Sequence, residues 1–316
     1  MAIIRNKGTE LRKVLADELR SMMEENRNII YMEADLGGAL GTGDLFSDFP
    51  GQAVNVGIME ANMVGAAAGM SVKGKIPFVH SFGTFASRRC ADQAFLSGCY
   101  NGANVRILGS DPGISAEANG GTHMPLEDMA IYRAFPGMTV LDIAEPNLFR
   151  YALRETAKRY GMFYLRFPRK QRDAYYDTES FEIGKANVLR AGKDVTIAAS
   201  GIEVTEALKA AEELKREGIE AEVIDVFTVK PIDEACICAS AVKTGAVVTA
   251  ENHNVIGGLG SAVAEVLAEH VPCPMKRVGV RDRFGEVGDL SYLSEQFGLT
   301  KESIIQAAKE VMDRKN

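Results

Sequence analysis

One carboxylate, Glu60, lies in a stretch that otherwise consists of apolar and small residues. The stretch, residues 55–72, reads NVGIMEANMVGAAAGMSV. An ionised carboxylate is costly to bury without a partner, so this acid is expected either to stay protonated or to meet a group that satisfies it. The alternative is structural, because a carboxylate in the first turn of a helix commonly interacts with backbone N–H groups. These residues alone favour neither interpretation.

Three other segments carry side chains that could bind a ligand. Phe82 and Phe85 of SFGTFASRR could stack on a flat ring, although such residues more often lie in a core. A long loop rich in glycine, residues 109–130, contains His123, which could bond hydroxyl groups or transfer protons near neutral pH. The arginines of YLRFPRK and Arg12 could bind phosphate, but exposed arginines usually serve solubility.

The elements that would position these side chains follow an α/β pattern. Strand-like segments such as NIIYMEADLGG alternate with helix-like segments such as ELRKVLADELRSMMEE. This alternation predicts a parallel sheet with helices on both faces. Ligands bind beyond the carboxyl ends of the strands in such sheets. The loops expected there begin at Asp35, Phe82, Asp111, Glu145 and Arg166.

A polar, charged stretch after FYLRFPRK interrupts this pattern, and the α/β alternation restarts at VTIAASG. The 316 residues also exceed the usual size of one compact core. We therefore predict an α/β protein of two domains, each built on a parallel or mixed sheet. The expected ranges are residues 1–178 for the first domain, 179–190 for a linker and 191–316 for the second domain.

Composition excludes several classes of function. The net charge of −7 argues against binding to nucleic acid or to anionic membranes. No apolar run approaches the roughly 20 residues of a membrane helix, and the N-terminus has no secretion signal, so a cytoplasmic location is expected. Of the five cysteines only Cys236 and Cys238 lie close together, which makes a zinc site improbable and favours reduced thiols.

Four segments together resemble the transketolase family of thiamine diphosphate enzymes over nearly the whole chain. They are GIMEANMVGAAAGM, SFGTFASRRCADQ, GGTHMPLEDMAIYRAFP and YLRFPRK. The resemblance implies a pyrimidine-binding domain over residues 1–178 and the family's C-terminal domain after the linker. It also implies an activity, the transfer of a two-carbon ketol unit from a ketose phosphate to an aldose acceptor.

The resemblance assigns the cofactor to specific residues. Glu60 corresponds to the catalytic glutamate that shares a proton with the aminopyrimidine ring, which would explain a buried acid. Phe82 and Phe85 correspond to aromatics that stack on this ring. Asp35 corresponds to an acid near the thiazolium and the subunit contact, and Arg89 to an active-site arginine.

The resemblance also implies a substrate site. His123 corresponds to a catalytic histidine that faces the hydroxyl groups of the sugar, and Arg12 and Arg166 to arginines that hold its phosphate. Two departures bear on specificity. Asn119 stands where many transketolases have aspartate, and Ala39 where some relatives place a phosphate-binding serine.

The family motifs that bind diphosphate and Mg²⁺, GDG followed after a spacer by NN, do not occur in this sequence. We therefore expect no metal site here and interpret the chain as one subunit of a split transketolase. A separate subunit would bind Mg²⁺ and the diphosphate of thiamine diphosphate, most simply in an α₂β₂ assembly. Because the family dimerises partly through these domains, a homodimer of this chain is a further expectation.

Other functions stay open at this point. A 1-deoxyxylulose-5-phosphate synthase-like half, or the β subunit of a 2-oxo acid dehydrogenase, would use pyruvate or another oxo acid as the donor. The histidine after GGT and the pair of arginines favour sugar phosphates instead. A non-catalytic relative that acts as a scaffold or sensor is the alternative outside enzyme chemistry.

Overall fold

Residues 4–176 and 181–315 are described by the computed structural model of the protein, apart from the side chains of residues 5–7. The strands in this part of the chain are β1 (Arg5–Glu10), β2 (Ile29–Glu33), β3 (Ala53–Asn55), β4 (Ile76–Phe82), β5 (Val105–Ser110), β6 (Met138–Asp142), β7 (Met162–Phe167), β8 (Gln171–Ala174), β9 (Asn187–Arg190), β10 (Val195–Ala199), β11 (Ala221–Asp225), β12 (Thr228–Lys230), β13 (Val247–Asn254) and β14 (Met275–Val280).

The α-helices are α1 (Leu11–Glu25), α2 (Gly37–Leu40), α3 (Leu45–Asp48), α4 (Glu60–Val72), α5 (Gly83–Arg88), α6 (Ala91–Gln93), α7 (Asp128–Arg133), α8 (Pro146–Lys158), α9 (Glu203–Arg216), α10 (Glu234–Thr244), α11 (Leu259–His270), α12 (Leu290–Phe297) and α13 (Lys301–Met312). A π-helix follows α6 at Ala94–Tyr100, and 3₁₀ turns occupy Gly113–Asn119 and Gly121–His123. No helix in the described ranges combines the length and apolarity that a membrane crossing requires.

Two larger sheets confirm the predicted α/β class. The first has seven strands in the order β12-β6-β7-β5-β4-β2-β3, and all neighbours are parallel except β12 and β6. The second has five strands in the order β14-β13-β10-β11-β9, with only β9 antiparallel. Every residue of β2, β5 and β10 is buried, as expected for strands covered by helices on both faces.

The domain boundary differs in detail from the expected one. Strand β9 lies inside the range 179–190 that was predicted as a linker, yet it pairs with β11 in the second sheet. Strand β12 comes from the second half of the chain but extends the first sheet beside β6. The predicted end of the first domain, residue 178, and the start of the linker lie outside the described residues. Because β12 pairs with β6, the second half of the chain supplies one edge strand of the first sheet.

A buried arginine joins the two halves. Arg166, at the end of β7, is fully buried, and its Nε and Nη1 lie 2.9 and 3.2 Å from carboxylate oxygens of Asp128 and Asp142. Its Nη2 donates to the backbone oxygen of Asn252 in the second half. The prediction that Arg166 holds the sugar phosphate is therefore wrong, because this guanidinium is enclosed and neutralised by the protein's own carboxylates.

Replacement of Arg166 by methionine is expected to lower the free energy of unfolding by about 3–5 kcal/mol, because it leaves two buried carboxylates without their cation. Denaturant unfolding measures this loss. The matched control is Arg159→Met, which removes a partly exposed (i, i+4) pair with Glu155 of α8 and should cost no more than about 0.5 kcal/mol. Equal losses in the two variants would contradict a central role for Arg166.

Buried acids make stability depend on pH. Burial raises the pKa of Asp225 to about 8, and the Tyr176 hydroxyl donates to this carboxyl at 2.7 Å. Burial likewise raises the pKa of Glu251 to about 7. An unfolded aspartate has a pKa of about 3.9, so between about pH 4 and pH 8 the folded chain keeps a proton that the unfolded chain has released. The free energy of unfolding therefore falls as the pH rises through this window.

Asp225→Asn is expected to weaken this dependence, because the amide does not titrate. The drop in melting temperature between pH 5 and pH 8 should be smaller in the variant than in the parent protein. Glu24→Gln, which changes an exposed acid of α1, serves as the control and should leave the drop unchanged. A drop that is the same in all three proteins would argue against a protonated Asp225.

Candidate active site

Glu60 begins helix α4, and its side chain is only 3% exposed. Small residues along α4, among them Ala67 and Ala68, pack the helix against the first sheet. The Glu60 carboxylate accepts a hydrogen bond of 3.1 Å from the Ser81 hydroxyl on β4. It also accepts hydrogen bonds of 2.9 and 3.0 Å from one nitrogen of Arg89. These bonds to side chains differ from the helix-cap interpretation, which expects backbone donors.

The ion pair between Arg89 and Glu60 is accessible enough for another group to replace Arg89. The Arg89 side chain is 46% exposed, and its guanidinium lies 3.9 Å from the centre of the Phe85 ring. A guanidinium over an aromatic face is stabilised by the charge distribution of the ring. If another group replaces Arg89 at the Glu60 carboxylate, the Arg89 guanidinium can therefore keep its contact with the Phe85 ring.

Three rings form a cluster beside this acid. The centroids of Phe82 and Phe85 are 6.4 Å apart, and His123 lies 5.8 Å from Phe82 and 5.2 Å from Phe85, edge-on to both. Gly83, at the start of α5, lets the loop that carries His123 approach closely, since a Cβ there would lie 2.9 Å from the Pro125 side chain. The structure thus brings together Glu60 with the predicted aromatics, Arg89 and the predicted histidine.

His123 comes from the long loop that the sequence singled out. The loop folds into two short 3₁₀ turns, and His123 Nδ1 lies 3.0 Å from the Thr122 hydroxyl. A Cβ at Gly121 would lie 2.4 Å from the Gly285 backbone oxygen, so the second half of the chain directly supports this loop. Asn119, at the end of the first turn, is exposed to solvent.

Two further residues singled out by the sequence, Asp35 and Ala39, follow strand β2. Asp35 follows β2 with a φ of 61° and is exposed. Its carboxylate accepts a hydrogen bond of 3.1 Å from the Asn55 amide. Ala39 is half-buried on α2, and its backbone oxygen faces Arg169 at 3.5 Å. The hydrogen bonds of Asp35 are thus made with Asn55, outside the Glu60 cluster.

Arg169, rather than Arg166, is the arginine of YLRFPRK that faces the ring cluster. Its guanidinium lies 4.9 Å from the centre of the Phe82 ring and pairs with Asp111 at 2.6 Å. Burial raises the pKa of Asp111, although Arg169 acts in the opposite direction. The backbone N–H of Arg12 donates to the backbone oxygen of Arg169, which places the two arginines side by side.

An exposed apolar surface adjoins the start of α4. Ile58 and Met59 precede Glu60, and the π-helix that packs on α4 exposes more apolar side chains. We call this surface the apolar patch, and its members are Ile58, Met59, Phe95, Leu96 and Tyr100. Contiguous exposed apolar residues commonly mark a site of protein association. The Glu60 cluster thus lies next to a surface suited to a partner.

Sequence reasoning missed one functional candidate, Ser81, and assigned the phosphate to Arg166 rather than to Arg169. Ser81 directly precedes the predicted Phe82, but a serine within an apolar strand gives no signal of its partner. The pattern YLRFPRK signals two arginines without showing which of them faces the core. Among the described residues, no group of three or more histidine, cysteine, aspartate or glutamate side chains could hold a metal ion.

Both halves of the chain match models of known protein domains. Residues 7–173 match the transketolase pyrimidine-binding domain, and residues 184–304 match the transketolase C-terminal domain. A 6-deoxy-6-sulfo-D-fructose transketolase subunit SqwH of Clostridium sp. (strain MSTE9) is 52% identical over 97% of this chain and 95% of its own length.

Two further relatives cover the chain nearly end to end. An apulose-4-phosphate transketolase subunit of Phocaeicola vulgatus is 33% identical over 96% of this chain and 97% of its own length. A solved structure described as a split gene transketolase, inactive beta4 tetramer, superposes with a TM-score of 0.90 and is 39% identical. It covers 98% of this chain and 100% of that one.

Loss of the Arg89 guanidinium should destabilise the isolated chain. In Arg89→Gln the buried Glu60 carboxylate loses its cation, which is expected to lower the free energy of unfolding by about 1–3 kcal/mol. The double variant Arg89→Gln with Glu60→Gln should recover most of this loss. Arg88→Gln, which breaks an exposed pair with Glu127, is the control and should change stability by less than about 1 kcal/mol. No recovery in the double variant would contradict the pairing.

Proposed function

This chain belongs to the transketolase family, and we propose that it is the subunit of a split transketolase that holds the pyrimidine ring of thiamine diphosphate. Its reaction would be the transfer of a two-carbon ketol unit from a ketose to an aldehyde acceptor. The observation that carries the proposal is the buried Glu60 carboxylate, which is held by Ser81 and a half-exposed Arg89 beside two phenylalanine rings. Thiamine diphosphate supplies, when bound, the nucleophilic carbon on which ketol transfer depends.

The residues around Glu60 fit the ring end of that cofactor. The carboxyl group of Glu60 would hold a proton that it shares with a ring nitrogen, and its low exposure keeps water from competing for that proton. Phe82 and Phe85 would offer apolar ring faces for stacking. Arg89 would give up its contact with Glu60 and remain over Phe85.

His123 is proposed to orient the sugar. Its Nδ1 is engaged with Thr122, which leaves Nε2 to bond a substrate hydroxyl or to move a proton at that hydroxyl. The exposed amide of Asn119 would bond a further hydroxyl. Asp35 is proposed to lie near the thiazolium ring and the subunit contact, where its exposed carboxylate is accessible to a partner.

The substrate is proposed to carry a terminal oxyanion. Arg12 and Arg169 are joined by a backbone hydrogen bond and line the same cleft, and a planar guanidinium bonds the oxygens of either a phosphate or a sulfonate. The Clostridium relative is described as a transketolase subunit for a sulfonated sugar, and the Phocaeicola vulgatus relative as one for a sugar phosphate. On the strength of 52% identity, 6-deoxy-6-sulfo-D-fructose is the first donor to test, with ketose phosphates beside it.

A separate subunit is proposed to bind Mg²⁺ and the diphosphate, since the described residues of this chain offer no group of metal ligands. The apolar patch beside Glu60 would form part of the contact, in an α₂β₂ assembly or, without the partner, in a homo-oligomer. The five cysteines are all free, which supports a reducing compartment such as the cytoplasm.

The purified chain is expected to be inactive alone and active when reconstituted with a partner subunit, Mg²⁺ and thiamine diphosphate. Glu60→Gln in the reconstituted enzyme should lower kcat by at least about 100-fold, because a positioned proton-transfer group contributes about 10²–10⁴. Ketol transfer from 6-deoxy-6-sulfo-D-fructose, xylulose 5-phosphate and pyruvate, assayed side by side, measures both effects.

Asp17→Asn, an exposed change on α1, is the control and should keep full activity. Full turnover by the lone chain would refute the split-subunit proposal. Use of pyruvate alone would favour an oxo-acid enzyme, and failure of every partner and donor would favour a scaffold or sensor.

A further inference from the structure

The two oxygens of the Glu60 carboxylate have different partners. Oε1 accepts hydrogen bonds from two donors, the Ser81 hydroxyl at 3.1 Å and Nη1 of Arg89 at 2.9 Å. Within the part of the chain that the structure describes, Oε2 accepts only from the same nitrogen of Arg89, at 3.0 Å. If the half-exposed Arg89 withdraws, Oε1 keeps a donor while Oε2 loses its own. The surrounding side chains thus distinguish two oxygens that are equivalent in a free carboxylate.

Ser81 is held more rigidly than Arg89. It is fully buried within β4, whereas Arg89 follows the end of α5 and its side chain reaches solvent. Val79, two residues before Ser81, lies on the same face of the sheet and belongs to the core that this face forms with α4. The residue paired with Ser81 on β5 is Gly109, which has no side chain to compete for the hydroxyl. The Ser81 hydroxyl is therefore directed at the start of α4, where Glu60 lies.

A hydroxyl and a guanidinium differ in the bonds that they can make with an acid. A serine hydroxyl can donate to an ionised carboxylate or accept from the O–H of a protonated carboxyl group, whereas a guanidinium carries donors only. Arg89 therefore offers no acceptor to a protonated Glu60. Ser81 can bond Oε1 whether or not the acid holds a proton. Because a buried polar atom without a partner costs free energy, this matters for an acid that gains and loses a proton in the interior.

We propose that Ser81 is a positioning residue for the proton transfer at Glu60. Its hydroxyl would hold Oε1 in both protonation states, and Oε2 would be the oxygen that faces the ring nitrogen of the cofactor after Arg89 has withdrawn. A carboxyl group held at one oxygen keeps the other in a fixed direction, which proton transfer over hydrogen-bond distance requires. The inference rests on the proposed function, since it deepens the role given there to Glu60.

The support that Ser81 gives to Glu60 is measured first on the isolated chain, by denaturant unfolding without cofactor or partner. Ser81→Ala in the parent protein should have a small effect, because Arg89 still bonds both oxygens of the carboxylate. In an Arg89→Met background, which lacks every donor of the guanidinium, Ser81 is the remaining donor. There Ser81→Ala should raise the unfolding equilibrium constant by at least about fivefold, since the buried acid loses its last hydrogen bond.

Ser87→Ala is the matched control for this comparison. Ser87 is equally buried, but its hydroxyl donates to the backbone oxygen of Gly83 at 2.7 Å rather than to a carboxylate. Its substitution should therefore have the same effect in both backgrounds. Equal effects of Ser81→Ala in the two backgrounds would contradict the proposal. If Arg89→Met does not fold, Arg89→Gln replaces it, and the difference should then be smaller because the amide keeps a donor.

In the reconstituted enzyme, Ser81→Ala should lower kcat and leave KM for the ketose nearly unchanged. We expect a loss of about tenfold or more, because a carboxyl group that is no longer held in direction transfers its proton less efficiently. Exchange of the thiazolium C2 proton of bound thiamine diphosphate for deuterium, measured by NMR without any sugar, should slow by a similar factor. Ser81→Thr keeps the hydroxyl and should recover most of both rates, while Ser87→Ala should change neither.

These measurements separate this inference from the proposed function. If Glu60→Gln is inactive while Ser81→Ala exchanges the proton and turns over like the parent enzyme, the role of Ser81 is refuted and the proposed function stands. If Glu60→Gln is fully active, the proposed function fails, and this inference fails with it. A loss in Ser81→Ala that comes with a raised KM and is not recovered by Ser81→Thr would show a structural role only and would also overturn the inference.

Discussion

The buried ion pairs of Arg166 with Asp128 and Asp142 form a charged centre in the first half of the chain, and the second half is bonded to this centre. Asp128 begins α7, Asp142 ends β6 and Arg166 is the last residue but one of β7, so three separate segments of the first half meet at one guanidinium. Three buried charges without water are stable only when each has its partners in place. The three charged groups are therefore stable in one relative arrangement only. A purely apolar contact of the same size would constrain the three segments less.

The second half of the chain is fixed to the same point. Asn252 on β13 accepts from Arg166 through its backbone oxygen, while its side chain bonds the backbone of Pro112 and Ile114. A Cβ at Gly113 would lie 2.2 Å from the Asn252 side chain, so only glycine allows this approach. These contacts hold the start of the loop that carries His123. The position of the histidine beside the Phe82 and Phe85 rings thus depends on a residue far away in the sequence.

Local sequence order explains which parts of the site could be predicted. Phe82, Phe85 and Arg89 follow one another across a single strand-to-helix turn, so a motif that predicts the turn also predicts their proximity. The roles of Arg166 and Arg169 could not be read in this way. Arg166 lies within β7 and Arg169 just beyond it. Their environments are set by Asp128, Asp142 and Asp111, which the chain supplies from other segments. The strand at 187–190 was missed for a related reason, since it is polar, short and antiparallel at a sheet edge, where apolar periodicity is weak.

The contact between Glu60 and Arg89 explains physically why this chain would need a partner. In the isolated chain the acid already has a cation and a hydroxyl donor, so a ring nitrogen must compete with both for the carboxyl group. The balance changes if a partner covers the apolar patch, because exclusion of water strengthens the bond between the carboxyl group and the ring. Arg89 can then remain over the Phe85 ring without its carboxylate. Under the proposed function, cofactor and partner would each favour binding of the other through this single acid.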